Sequence, residues 1–346
     1  MRNAKNILIA PLNWGLGHAA RCIPIIKNLQ AQGHHIIIAS DGMALELLKK
    51  EINDAIFEKL PAYNITYSKR PWFNKWHLLM QAPRLKKIVK QEQLKTRQLI
   101  DKHQIDILIS DNRFGVYDPR VQSIYITHQL RVLSGWSSFI STYLHQQIYQ
   151  KFHEIWIPDF AGQTNLSGRL GHVANSSLNL KYIGPLSRMK IKKTTLKYDV
   201  LAILSGPEPQ RSLLEKKLIE QLAVLPVKSA IVQGKIDKKT NIKNYGNIDI
   251  YNYVNASALE YLINSSDKII ARSGYTSIMD LISMQKPVLW IPTPGQDEQK
   301  YLARHIHQKF GYQYTTQAKI SLDIDLLDNL PATNFSLFSK KPVKLI

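Results

Sequence analysis

Two groups of polar residues have the types and spacing to do chemistry. The first lies near the start, where Pro11-Leu12-Asn13-Trp14-Gly15-Leu16-Gly17-His18 follows the apolar run Asn6–Ala10. Gly15 and Gly17 let the backbone approach a ligand, and a helix opening behind them favours phosphate or a developing negative charge at its N-terminus. His18 and Arg21 stand at that junction. There His18 could serve as acid, base or hydrogen-bond donor, the alternative being a capping or core histidine. The second group fills Asp267–Ala303, reading DKIIARSGYTSIMDLISMQKPVLWIPTPGQDEQKYLA. One of its turns holds Arg272, Ser273, Gly274, Thr276 and Asp280; the other holds Gln296, Asp297, Glu298 and Gln299.

The elements that must position these groups follow from the apolar pattern. In the second group a short apolar run, a turn and a helical pattern with Ile278, Leu281 and Ile282 on one face are followed by a second run, Val288–Ile291, another turn and another helix. In the first half, the strand Asn6–Ala10, a helix from about Ala19 to Gln32, Gly33 as its C-terminal cap and the strand His35–Ser40 make a βαβ unit. Further strands are predicted at Ala55–Leu60, Ile105–Ser110, Ser123–Thr127, Glu154–Ile157 and Leu180–Gly184. Asp111, Arg113, His128 and Gln129 fall at carboxyl ends of these strands, where they could line one crevice with His18; Asp111 and Arg113 could equally pair with each other. The second half repeats this plan. A strand Asp199–Leu204 ends in Ser205-Gly206, Ser229–Val232 ends in Gln233, and Ile248–Val254 carries Asn252-Tyr253-Val254 at its end. Ligands in such units sit at the carboxyl ends of the strands.

Composition bounds the reading. A chain of 346 residues, 44% apolar, suits two α/β domains. These are predicted as 1–186 and 199–320, joined by a basic linker over 187–198, with a tail from 321 to 346 expected to return to the N-terminal domain. A single cysteine, Cys22, excludes an internal disulfide framework and a cysteine-cluster metal site. No signal peptide or membrane span is recognisable, so a cytoplasmic protein is expected. The net charge of +20 suggests an anionic partner, although scattered lysine could account for it. The segment 67–90 interleaves Tyr67, Trp72, Phe73 and Trp76 with lysines and arginines, which suits an anionic membrane surface, single-stranded nucleic acid, or an ordinary amphipathic helix.

The glycine loop alone supports a rival reading. Gly15-x-Gly17-x-x-Ala20 with Asp41 at the end of the second strand fits a dinucleotide fingerprint and would suit an NAD-dependent enzyme.

Two similar Rossmann-like halves, with parallel sheets and ligand loops facing a cleft, describe the GT-B architecture. RSGYTSIMDL followed by KPVLWIPTPGQDEQKYLA resembles the donor-site signature of glycosyltransferase family 28, and GLGHAAR resembles that group's glycine loop ending in histidine. The chain looks closest to a bacterial and archaeal branch whose loop reads GxGHxxR. The resemblance spans nearly the whole chain. It implies an inverting transferase that moves a hexose, N-acetylglucosamine above all, from a UDP-sugar co-substrate without a metal or other cofactor. It implies that Asp280 binds the donor ribose, where the family usually has the longer glutamate. Gln296, Asp297 and Gln299 would hold the donor sugar, Ser205-Gly206 would lie near the diphosphate, and Asn252-Tyr253-Val254 would offer backbone groups to uracil. Ser273, Gly274, Thr276 and Gln233 fall on the same donor side, and Arg272 with helix N-termini could stabilise the leaving diphosphate. His18 is the expected base or acceptor-orienting group, with Asp111 in reserve. Gly15, Gly17, Arg21, Arg113, His128 and Gln129 complete the acceptor side. The family's peptidoglycan enzymes place a proline three residues after the loop histidine. Here Pro24 comes six after His18, which argues for a different acceptor; a lipid-linked sugar, a lipopolysaccharide core, a glycolipid and a small metabolite are all candidates, and a glycolipid or cell-envelope glycan at an anionic membrane face is the expectation. Asp323-x-Asp325 lies in the tail, away from any diphosphate site. A UDP-sugar 2-epimerase is the alternative on the same architecture, followed by the NAD enzyme or a basic membrane or nucleic-acid binding protein; no nucleic-acid partner is expected.

Overall fold

The computed structural model describes residues 4–14, 16–64, 74–131, 138–173, 176–235, 240–331 and 345–346. Gly15 and the start of the aromatic, basic stretch, Tyr67 to Phe73, lie outside these residues. The chain forms two compact units, Met1–Leu186 with Pro342–Ile346, and Ser187–Lys341.

The first unit is built on a seven-stranded sheet, in the order β3-β2-β1-β4-β5-β6-β7. Its strands are β1 (Asn6–Pro11), β2 (His35–Ser40), β3 (Ala55–Lys59), β4 (Ile107–Asp111), β5 (Gln122–Ile126), β6 (Glu154–Ile157) and β7 (Leu180–Tyr182). All neighbours run parallel. Parallel strands are covered on both faces, so they read as continuous apolar runs rather than alternating ones. Accordingly Ile7, Leu8, Ile9 and Ala10 of β1 are all fully buried. Each large aliphatic side chain buried this way contributes about 1.5–3 kcal/mol. The helices are α1 (Gly17–Ala31), α2 (Gly42–Glu51), α3 (Asn74–His103) and α4 (Ser138–Tyr149). Helix α1 begins two residues earlier than predicted, so His18 lies inside its first turn. Gly33, after α1, has φ +85°, a left-handed conformation that glycine adopts without strain.

The second unit also has a seven-stranded sheet, ordered β10-β11-β9-β8-β12-β13-β14. Its strands are β8 (Tyr198–Ile203), β9 (Ser229–Val232), β10 (Ile242–Tyr245), β11 (Ile248–Tyr251), β12 (Ser266–Ala271), β13 (Val288–Trp290) and β14 (Gln313–Tyr314). Among the described residues only the β10–β11 pair is antiparallel. Its helices are α5 (Gln210–Leu222), α6 (Ala256–Asn264), α7 (Tyr275–Ser283), α8 (Asp297–Phe310) and α9 (Ile324–Asp328). Strand β11 stops at Tyr251, so Asn252-Tyr253-Val254 form the turn after it rather than its end.

Two expectations about the chain's organisation need correction. The stretch from Ser187 is not a free linker: Lys190 N donates to Glu260 Oε2 at 2.8 Å and Lys192 N to Asn264 Oδ1 at 2.9 Å, which straps it to α6. Nor does the whole tail return to the first unit. Ile320, Leu322, Leu327 and Leu330 lie in the apolar core of the second unit, and Asp323 caps α9 by accepting from Leu326 N at 2.7 Å. Leu345 is buried, and its carbonyl accepts from Lys181 Nζ at 2.8 Å in the first unit. Among the described residues, no helix is long and apolar enough to cross a membrane.

Candidate active site

In an open parallel sheet the ligand crevice opens where the strand order reverses, because the helices on either side depart to opposite faces. In the first unit that point lies between β1 and β4, and Pro11 is in register with Asp111. Both strands end there, so α1 and the 111–115 turn leave from the same place. Asn112 has φ +57°, a conformation open to asparagine, and it turns the chain sharply just after Asp111.

His18 and Arg21 are three apart on α1 and share a face. His18 Nδ1 lies 2.8 Å from Asp111 Oδ1. Arg21 grips the same carboxylate with both arms: Nε donates to Oδ2 at 2.6 Å and one terminal nitrogen donates to Oδ1. Its other terminal nitrogen donates to His128 Nδ1 at 3.2 Å. Asp111 is fully buried, and Arg21 and His128 nearly so, while the His18 side chain is 13% exposed. Burial pushes the Asp111 carboxyl up, but Arg21 and His18 outweigh it and hold it well below the usual range. It is therefore ionised and can accept from a protonated His18 Nδ1, the tautomer that keeps the lone pair on Nε2. Burial lowers the His18 pKa; Asp111 opposes this, and the Arg21 charge adds to it. The result favours a neutral imidazole beside an ionised carboxylate, with a terminal nitrogen of Arg21 also 2.9 Å from Nδ1.

This grouping assigns the sequence candidates. His18, Arg21, Asp111 and His128 come together, and Gly17 opens the helix that carries the first two. Asp111 cannot itself be the base, because both its oxygens are taken by Arg21 and His18. Arg113 does not belong to the site. It is fully buried, pairs with Asp41 Oδ1 and with Glu92 Oε1 (2.7 Å), and donates to Pro11 O at 3.0 Å. It anchors the turn that presents Asp111 and does not pair with Asp111. Asp41 is spent on Arg113 and on Asn13 Nδ2 (3.0 Å), so it is not the free ribose ligand that a dinucleotide site needs. Gln129 anchors the loop after β5 through its backbone, its carbonyl accepting from Tyr149 OH at 2.9 Å. The sequence reading missed Asn112 as a member: its Nδ2 lies 3.5 Å from His18 Nδ1, and its Oδ1 accepts from Tyr125 OH at 3.0 Å.

In the second unit the order reverses between β8 and β12, with β13 next to β12. The turns after these three neighbouring strands lead into α5, α7 and α8, so three helix N-termini issue from one sheet edge. Each favours an anion. Gly206, after β8, has φ +100°, and an added Cβ there would stand 3.4 Å from Thr293 Oγ1. Thr293 is buried, its hydroxyl has no hydrogen-bond partner among the described residues, and its backbone N donates to Gln299 Oε1 at 2.9 Å. Gln299 Nε2 donates to Gln296 Oε1 at 2.6 Å, and Ser273 Oγ donates to Gln299 O at 2.8 Å. Gln299 thus locks the second turn onto the first, with Gly274 packed beside its amide. Thr276 lies in the first turn of α7.

Arg272 has a different place from the one expected. It is buried and donates to Gln317 Oε1 (2.6 Å), Gln210 O (2.9 Å), Ile291 O (3.3 Å) and Pro292 O (3.4 Å). Burial lowers its pKa to about 10, so it stays charged at neutral pH. Its guanidinium braces the turns instead of reaching for a phosphate. Gln210 and Gln317 were not recognisable as its partners, since isolated glutamines carry no pattern. Gln233 Nε2 donates to Glu215 Oε1, and Asn252 Oδ1 accepts from Tyr253 N (2.8 Å) and Asn241 N (2.6 Å), fixing the turn toward Val254. Asp297 opens α8 with its side chain 48% exposed. Asp280, on α7, is 9% exposed, and its Oδ1 accepts from Ser187 Oγ at 2.9 Å. Ser205 precedes Gly206 in the exposed turn after β8.

Comparison with known proteins agrees with this arrangement. Residues 210–335 match the glycosyltransferase family 28 C-terminal domain. An uncharacterized glycosyltransferase of Methanosarcina acetivorans is 24% identical over 345 residues, covering 92% of this chain and 88% of that protein. Among solved structures, the glycotransferase of kitacinnamycin superposes with a TM-score of 0.65 at 15% identity, covering 98% of this chain and 92% of that one. MurG of Acinetobacter baumannii superposes with a TM-score of 0.56 at 14% identity, covering 94% and 89%. With two Rossmann-like sheets and a family 28 C-terminal match, the chain is a GT-B glycosyltransferase that resembles family 28.

Proposed function

We propose that the enzyme transfers a hexose, N-acetylglucosamine first among candidates, from its UDP-sugar to an acceptor hydroxyl with inversion and without a metal. The observation that carries this reading is the 2.8 Å pairing of His18 Nδ1 with Asp111 in a buried, Arg21-neutralised setting. His18 Nε2 takes the proton of the acceptor hydroxyl. The acceptor oxygen bonds to the anomeric carbon from the face opposite UDP, and the bond to the diphosphate breaks with its electron pair going to UDP. Helix N-termini after Ser205-Gly206 and Ser273-Gly274 offset the charge that develops there. Asp280 takes the ribose hydroxyls and Gln296, Asp297 and Gln299 the sugar, in line with the resemblance of RSGYTSIMDL and PGQDEQ to the family's donor signature. The +20 charge and the basic stretch 67–90 support a glycan or glycolipid acceptor presented at an anionic membrane surface.

Calorimetry with UDP, UDP-N-acetylglucosamine and NADH tests the donor assignment. Binding of both uridine ligands is expected in the presence of EDTA, with none of NADH. Tight NADH binding without uridine binding overturns the proposal.

A further inference from the structure

We infer that Ser187 is a positioning residue for donor recognition, its hydroxyl fixing Asp280 for the nucleotide ribose; this rests on the donor role proposed for Asp280. The geometry is specific. Ser187 Oγ accepts from Met189 N at 3.1 Å, which turns its own proton outward, and that proton is donated to Asp280 Oδ1 at 2.9 Å. Arg188 N approaches the same oxygen at 3.4 Å. One carboxylate oxygen is thereby claimed by the strap, which leaves Oδ2 as the oxygen to meet a ligand. The strap can hold its place because it is anchored beyond this point. Asn264 Nδ2 donates to Lys190 O at 3.0 Å, and Lys192 Nζ pairs with Glu260 at 2.5 Å.

The arrangement answers a difficulty raised by the sequence. Aspartate reaches one methylene less far than the glutamate of the resembling family, and a short side chain on α7 must be aimed if it is to serve. Burial also penalises the ionised carboxylate that would accept from ribose hydroxyls, and raises its pKa. The Arg188 charge, the Ser187 hydroxyl and Arg188 N pull it back down. Arg188, from the strap, is the charged group that acts on this carboxyl. Ser187 therefore both directs Asp280 and favours its charged form.

A threonine–valine pair isolates the hydroxyl, since the two side chains match in shape. Affinities of the full-length protein for UDP and for 2′,3′-dideoxy-UDP, measured by calorimetry from pH 5 to 8, give a ribose-discrimination ratio for each variant. Ser187→Thr is expected to keep the wild-type ratio. Ser187→Val is expected to lower it about fivefold and to move the acid limb of UDP binding to higher pH, because loss of the donor raises the Asp280 pKa further. Asp280→Ala should abolish the discrimination. If Ser187→Val matches wild type in ratio and pH profile while Asp280→Ala loses the ratio, the role of Ser187 is overturned and the donor reading stands. If Asp280→Ala keeps the ratio, the ribose assignment falls, and the inference with it.

Discussion

The two sheets reverse strand order in the same way, yet what stands at each reversal differs. At the first, His18, Arg21, Asp111 and His128 interlock, and the buried carboxylate is matched by a buried guanidinium. At the second, side-chain amides join the turns: Gln299 ties two of them together, and Gln317 takes the buried guanidinium of Arg272, while buried Arg211 pairs with Glu208 and Glu215. Helix N-termini supply positive potential there without committing a side chain. The first arrangement suits movement of a proton at one fixed atom, because every charge in it has a partner that sets its protonation. The second suits an extended, anionic ligand, because its polarity is spread over backbone N–H groups of three turns at helix N-termini. One topology thus carries two chemistries, and the side chains at the strand ends decide which.

The sharpest way to break this contrast is to remove the proton acceptor. His18→Ala should lower kcat by about 10³-fold, within the range that general-base removal costs, with UDP affinity unchanged by calorimetry. Asp111→Asn should lower kcat by about 10²-fold, since the amide turns an N–H toward one of the donors that Asp111 accepts from and leaves Arg21 uncompensated. Equal loss of UDP affinity in His18→Ala would show that the two reversals do not divide the work. Next comes the support of the first reversal. Arg113→Met leaves Asp41 and Glu92 buried without their cation, and should cost about 3–5 kcal/mol in urea unfolding. A cost below about 1 kcal/mol would mean that Arg113 does not brace the Asp111 turn.

The parts that were legible in the sequence were those with a local cause. Continuous apolar runs marked the parallel strands, glycine-bearing turns marked their carboxyl ends, and a shared crevice for His18, Asp111 and His128 followed from where each run stopped. What could not be read was the choice among partners. Arg21 and Arg113 both follow strand ends, and only the fold shows that the first holds Asp111 and the second holds Asp41 and Glu92. Arg272 stood in a donor-like turn, but Gln317 and Gln210, far apart in the chain, claim its guanidinium and turn it into a brace. The strap from Ser187 looked like a linker because it has no periodicity. Its order comes from Glu260 and Asn264, whose role shows only once α6 is placed. Long-range hydrogen bonds of this kind leave no mark on composition or spacing.

The smallest effect, and the most discriminating, is in the pH dependence. Burial drives both key groups toward their neutral forms, which displaces a histidine and a carboxyl in opposite directions. In the proposed mechanism the neutral form of His18 is the base. Its pKa is lowered from 6.5, so kcat should stay flat from pH 8 down to 6.5 and fall only below that. In the same proposal the charged form of Asp280 is the one that binds the ribose. Its pKa is raised from 3.8, so UDP affinity should weaken on acidification at a pH above the ordinary aspartate range. The two limbs should therefore approach each other between those values, while remaining separable: His18→Ala should leave the affinity limb in place, and Asp280→Ala should remove it. Initial rates at saturating donor and calorimetric affinities over pH 4.5–8 make the measurement. A kcat limb above pH 6.5 would mean that the Asp111 charge dominates His18, and that the first reversal stabilises an imidazolium instead of a base.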